Sequence, residues 1–93
     1  MKSSLTPASK RKAVISVSEK AFVLIEAEVG KSDKVRAAAK EVDGVTTADC
    51  VTGPYDVIAV VEGQGSDEIG KIVSGKIQVI PGVSRMVSCL ALA

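Results

Sequence analysis

Apolar residues along this chain fall into four compact runs and two spaced series. The first run, Phe22-Val23-Leu24-Ile25, lies in a strand-like stretch from Ala21 to Val29. Consecutive apolar residues in a strand imply burial on both faces. Val35, Ala38, Ala39 and Val42 follow at i, i+3, i+4 and i+7, one face of a helix, with Ser32 as its N-cap and Gly44 as its C′ residue. Val45–Val51 and Val57–Glu62 read as two further strands. Ser66 then caps a second helix whose inner face is Ile69, Ile72, Val73 and Ile77. Ile80-Pro81-Gly82 stops it, and Val83–Leu92 is the last strand. Gly70 and Gly75 fall inside the second helix, each costing ~1 kcal/mol relative to Ala. They fit either close packing on the sheet or a neighbour, or simple tolerance.

The order is strand, helix, strand, taken twice, and Val42-Asp43-Gly44-Val45 is echoed by Ile80-Pro81-Gly82-Val83. A βαββαβ chain predicts an α+β fold with an antiparallel sheet ordered 4-1-3-2 and both helices on one face. Strands 2 and 4 are then opposite edges. Cys50 and Cys89 lie on those strands, too far apart for a disulfide within one subunit, and are expected to be small, buried, reduced residues. The helices cover only one sheet face, yet strands 1 and 3 are unbroken and Leu90-Ala91-Leu92 ends the chain apolar. A second copy of the sheet is the economical cover for the other face. An interface of ~800 Å² per partner would be ordinary.

Composition narrows the chemistry. Of 93 residues 46% are hydrophobic but only 2% aromatic, so one small core must be built from Val, Ile, Leu and Ala. The net charge of +1 is uneven: residues 1–19 hold four of the 12 basic side chains and one of the 11 acidic ones. The remainder is slightly acidic, which excludes a basic nucleic-acid platform. Residues 1–19 are rich in Ser and Lys with Pro7, and a disordered basic tail is expected there, ahead of a single domain over 20–93. The chain has no His, which removes the commonest general base and a common metal ligand. Two Cys form neither a disulfide framework nor a zinc set. No catalytic residues, metal or cofactor are expected. With no membrane-length apolar run and no secretory leader, the expected location is cytoplasmic.

One polar cluster interrupts the middle strands: Val51-Thr52-Gly53-Pro54-Tyr55-Asp56 before Val57. Gly53-Pro54 marks a tight antiparallel hairpin. Tyr55, the only Tyr, and Asp56 sit at its tip. They are either turn chemistry or a binding site. A carboxylate can hold an ammonium, Gly admits a ligand to the backbone, and Tyr supplies a wall with a hydroxyl.

Taken together, Ala21–Ile25, the Val51-Thr52-Gly53-Pro54-Tyr55-Asp56-Val57 hairpin and Ile77-Gln78-Val79-Ile80-Pro81-Gly82-Val83 resemble the ligand-binding ("RAM") domain of the Lrp/AsnC family of transcription regulators, over residues 20–93. The resemblance implies a ferredoxin-like sandwich that dimerises through its sheets into a dimeric α/β barrel. It also implies higher rings, with amino-acid effectors bound in clefts between dimers. Gly53, Tyr55 and Asp56 match the hairpin positions lining that cleft. Ser88 keeps one hydroxyl of the family's last-strand T-x-T or T-x-S pattern, while Met86 replaces the other. Family regulators carry an N-terminal helix-turn-helix, for which nineteen residues without paired helical periodicity are too few. The expectation is therefore a stand-alone effector-binding homo-oligomer, without DNA binding of its own, that modulates a full-length regulator by co-assembly. Three alternatives remain: a small dimeric α/β-barrel enzyme using Asp56 and Tyr55, an ACT-like sensor, and a nucleic-acid accessory protein acting through its basic tail.

Overall fold

The computed structural model describes residues 19–92. Strand β1 (Glu19–Ala27) is followed by helix α1 (Ser32–Lys40), strands β2 (Val45–Cys50) and β3 (Val57–Gly63), helix α2 (Ser66–Ile72, continued as a π-helical turn over Val73–Ile77) and strand β4 (Val83–Leu90). The four strands form one antiparallel sheet in the order β2-β3-β1-β4. This is the expected ferredoxin-like arrangement, with the two hydrophobic strands β1 and β3 central.

The alternation of β1 and β3 decides the layers. Ala21, Val23 and Ile25 of β1 and Val57, Ala59 and Val61 of β3 are all buried, and with Ala48 they floor the core. Val35 and Ala39 of α1, and Ile69, Ile72, Val73, Ile77 and Ile80 from α2 and the turn after it, close over them. Ala38 and Val42 pack at the margin. The core is wholly aliphatic, as the composition required.

The internal repeat extends to single hydrogen bonds. Gly44 and Gly82 each have positive φ, +99° and +101°, and each precedes an edge strand. The Glu62 N–H donates to the Gly44 carbonyl and the Glu28 N–H to the Gly82 carbonyl, both at 2.8 Å. Each edge strand then slips register by one residue, at Thr46 in β2 and at Ser84 in β4. The two hydroxyls cap the slips, Thr46 Oγ1 on the Val60 carbonyl at 3.2 Å and Ser84 Oγ on the Glu26 carbonyl at 3.1 Å. Such bulges re-aim side chains and increase local twist.

Several local expectations are corrected. Strand β1 spans Glu19–Ala27 rather than Ala21–Val29: the Glu28 N–H makes one last bond toward β4, to the Gly82 carbonyl, and Val29 is fully exposed. Neither Ser32 nor Ser66 is an N-cap: Lys31 and Gly65 occupy the cap positions, without side-chain capping bonds. The last part of the second helix is π-helical, with the Gln78 N–H bonded to the Val73 carbonyl at 2.9 Å. Two features favour the wider turn: Gly75 within it, and Ser74, whose hydroxyl takes the Gly70 carbonyl at 2.8 Å. Gly70 and Gly75 have open space where a Cβ would stand, so the chain's own sheet does not crowd them.

Cys50 and Cys89 are corrected as well. They do lie on opposite edge strands, but both are exposed. Cys50 pairs with Val57 at the end of β2, and its exposed Sγ lies 3.6 Å from Asp33 Oδ1 in the first turn of α1. Cys89 pairs with Phe22 on the face that the helices leave open.

Candidate functional site

The hairpin between β2 and β3 is a six-residue loop, Val51–Asp56, closed by the Val51 N–H on the Asp56 carbonyl at 2.9 Å. Gly53 turns it with φ +125°, a conformation that side-chain-bearing residues avoid, and no atom lies within 4 Å of where its Cβ would be. Thr52, Gly53 and Pro54 are exposed, whereas Tyr55 and Asp56 are half-buried. The tip is therefore a polar projection with its aromatic partly tucked in.

Asp56 is held through its backbone and through one carboxylate oxygen. Its N–H donates to the Ile25 carbonyl at 2.8 Å, and its carboxylate Oδ2 accepts the Ala27 N–H, also at 2.8 Å. A half-buried carboxylate accepting a backbone N–H makes a charge-assisted bond, stronger than a neutral pair. The hairpin is thereby anchored to the end of β1. Sequence reasoning missed Ile25 and Ala27 as its supports. Their part is played by backbone atoms, which leave no compositional signal.

Ser88 lies elsewhere. It pairs with Val23 in β4 and points to the helix side, where it lines an open groove of about 340 Å³ with Ala21, Ile69, Val73 and Leu90. Strand β1 separates β4 from β3, a span of ~10 Å across the sheet. Within one chain, then, Gly53, Tyr55 and Asp56 are brought together and Ser88 stands apart. Met86, the departure from the family pattern, pairs with Ile25 and is half-buried against the core.

The face away from the helices is mixed. Phe22, Leu24, Ile58, Val60 and Val87 give it an apolar centre, with Phe22 40% and Val87 36% exposed. Thr47, Asp49, Glu62 and the Glu26–Arg85 pair, 4.0 Å apart, form its rim. Apolar centre and polar rim are the composition of protein interfaces. Among the described residues no cluster of three or more His, Cys, Asp or Glu could hold a metal, and no helix is long and apolar enough to cross a membrane.

The family model described as "Lrp/AsnC ligand binding domain" matches residues 20–93. The chain belongs to the Lrp/AsnC family. Among solved structures, this Lrp/AsnC domain is similar to TTHA0845 from Thermus thermophilus, with 32% identity and a TM-score of 0.77 over 81% of this chain and 94% of that one. It is also similar to FFRP-DM1, with 26% identity and a TM-score of 0.75 over 80% of this chain and 99% of that one. The transcriptional regulator NMB0573 from Neisseria meningitidis, solved as a complex with L-Met, shares the fold at 15% identity and a TM-score of 0.72; the match covers 92% of this chain and 60% of that one. No curated protein matches the chain.

Proposed function

We propose that residues 20–93 form a non-enzymatic effector-binding and oligomerisation module that takes a small amino acid-like molecule at the Gly53–Asp56 hairpin. The observation that carries this reading is the Lrp/AsnC ligand-binding match across all of those residues. The hairpin's chemistry supports it: a glycine that keeps the backbone accessible, a half-buried Tyr and an anchored carboxylate, on a domain whose other projections are ordinary turns. The L-Met bound to NMB0573, a protein of the same fold, makes an apolar amino acid the first ligand to try. Met86, where the family has a hydroxyl, points the same way.

Two copies pair through the open sheet faces, sheltering Phe22, Leu24, Ile58, Val60 and Val87. A neighbouring subunit completes the effector cleft, and Ser88 enters it from that neighbour. Pairs assemble further into a ring, and the module works in the cytoplasm, modulating an Lrp/AsnC regulator by co-assembly. Residues 1–19, of which only Glu19 is among the described residues, serve as a basic tail to the domain.

Calorimetric titration with each of the twenty amino acids, at a protein concentration where light scattering shows the oligomer, tests the reading. Saturable binding of at least one amino acid, abolished by Gly53→Val, is the expected result. An oligomer that binds none of them reduces the module to assembly alone. A monodisperse monomer that binds none refutes both parts.

A further inference from the structure

We infer that Asp56 is a positioning residue, whose carboxylate stands in for a missing rung of the β1–β3 ladder and so holds the hairpin in its ligand-ready shape. The inference rests on the reading of the hairpin as the effector site and changes the part that Asp56 plays there. An exposed carboxylate would be expected to greet an ammonium group directly; this one is already engaged by its own chain.

The register carries the argument. Strands β1 and β3 pair from Glu19↔Gly63 to Ile25↔Val57. Two steps further along the same register, Ala27 would stand opposite Tyr55, and a continuing ladder would give the Ala27 N–H a backbone carbonyl. The chain does not continue. The Ala27 N–H goes instead to Asp56 Oδ2 at 2.8 Å, and the Asp56 N–H reaches back to the Ile25 carbonyl at 2.8 Å. Side chain and backbone of one residue together grip two alternate positions of β1. Its carbonyl meanwhile receives the Val51 N–H at 2.9 Å and closes the loop. The strand end is capped by a side chain, so Tyr55 leaves the sheet just where the loop must open, while its neighbour stays fixed. Without the carboxylate, the half-buried Ala27 N–H has no acceptor. The loop would then either slide on into the ladder, drawing Tyr55 flat against β1, or come loose from it.

The position of the grip adds a second support. Ala27 is where the β1–β4 pairing also shifts register, with Ser84 looped out and its hydroxyl on the Glu26 carbonyl at 3.1 Å. The end of β1 is thus irregular on both sides, and its backbone polar groups are satisfied by two side chains, Asp56 and Ser84. Buried backbone donors are rarely left unpaired, so these side chains are needed to hold that geometry.

An acceptor oxygen is what this role requires; a negative charge is not. Asparagine supplies the oxygen without the charge, and alanine supplies neither. Amide hydrogen exchange on the full chain reads the grip without any ligand. Protection of the Ala27 and Val51 amides is expected in the wild type and in Asp56→Asn, and its loss in Asp56→Ala. Equal protection in Asp56→Ala, or an unprotected Ala27 amide in the wild type, overturns the inference. Titration with L-methionine below the melting temperature of every variant then reads the consequence for the site. Asp56→Asn is expected to stay within about threefold of the wild-type affinity and Asp56→Ala to lose about tenfold or more. A large loss in both variants would show the charge meeting the ligand directly, which overturns the positioning role. Unchanged affinity in Asp56→Ala would make the grip purely structural, with the same result. Failure of L-methionine to bind the wild type counts against the effector reading instead, and the exchange measurement still decides the grip.

Discussion

Truncating Phe22 on the open sheet face should separate the proposed dimer without unfolding the domain. Phe22 sits in the central strand β1, between Val60 of β3 and Cys89 of β4, and is 40% exposed in the single chain. For a Phe side chain of about 200 Å², that leaves about 80 Å² to be covered by a partner. At about 25 cal/mol per Å² its burial contributes about 2 kcal/mol per protomer. A two-fold interface counts it twice, so Phe22→Ala should weaken the dimer by about 4 kcal/mol, or about 10³-fold in dissociation constant. The fold itself loses less, because the buried core lies on the opposite face and contains no Phe22 atom. Sedimentation equilibrium over a wide concentration range gives the dissociation constant, and circular dichroism shows that the variant is folded. A wild type that stays monomeric at micromolar concentration, or a Phe22→Ala protein that associates as tightly as the wild type, would refute the reasoning.

Other perturbations separate the two sides of the sheet and the two kinds of glycine. Ala59→Glu places a charge where exposure is 0%, under the helices, and should abolish folding, whereas Val60→Glu on the open side should leave a folded monomer by circular dichroism and light scattering. Gly82→Ala sets a Cβ 3.0 Å from Lys31 Cβ and 3.1 Å from Val35 Cγ2 at a φ of +101°, so it combines backbone strain with crowding against α1 and its cap. Gly53→Ala meets no atom within 4 Å and carries strain alone, about 1–3 kcal/mol, so urea unfolding should rank Gly82→Ala as clearly the more destabilising. Cys50 is exposed at the end of β2 and should label with a thiol reagent in the native protein at any concentration. Cys89, opposite Phe22 on the open face, should label in the dilute monomer and be shielded as the dimer forms; equal labelling at all concentrations would contradict pairing through that face.

Much of this architecture is written in short-range pattern. The βαββαβ order determined by itself which strands are central, and the unbroken runs at Phe22–Ile25 and Val57–Val61 marked both faces of those strands as apolar. The paired Gly44-Val45 and Gly82-Val83 steps determined where each edge strand begins, since only glycine takes those positive φ values easily. The hairpin and its Gly, Tyr and Asp were equally legible, because turn residues between two β-formers leave few alternatives.

Tertiary structure decided the rest. Cys50 and Cys89 are apolar enough to read as core, and local pattern cannot say which positions of an edge strand stay exposed. Ser32 and Ser66 are good capping residues, yet the chain's path into each helix put Lys31 and Gly65 at the caps instead. The π-helical turn depends on a competition for the Gly70 carbonyl that appears only once the helix is formed. The role of Asp56 depends on Ala27, a residue 29 positions away whose contribution is a backbone N–H common to almost every residue. A periodicity can show which side of a strand is buried. Which distant backbone donor lacks a partner, and which side chain supplies it, is settled only when the sheet closes.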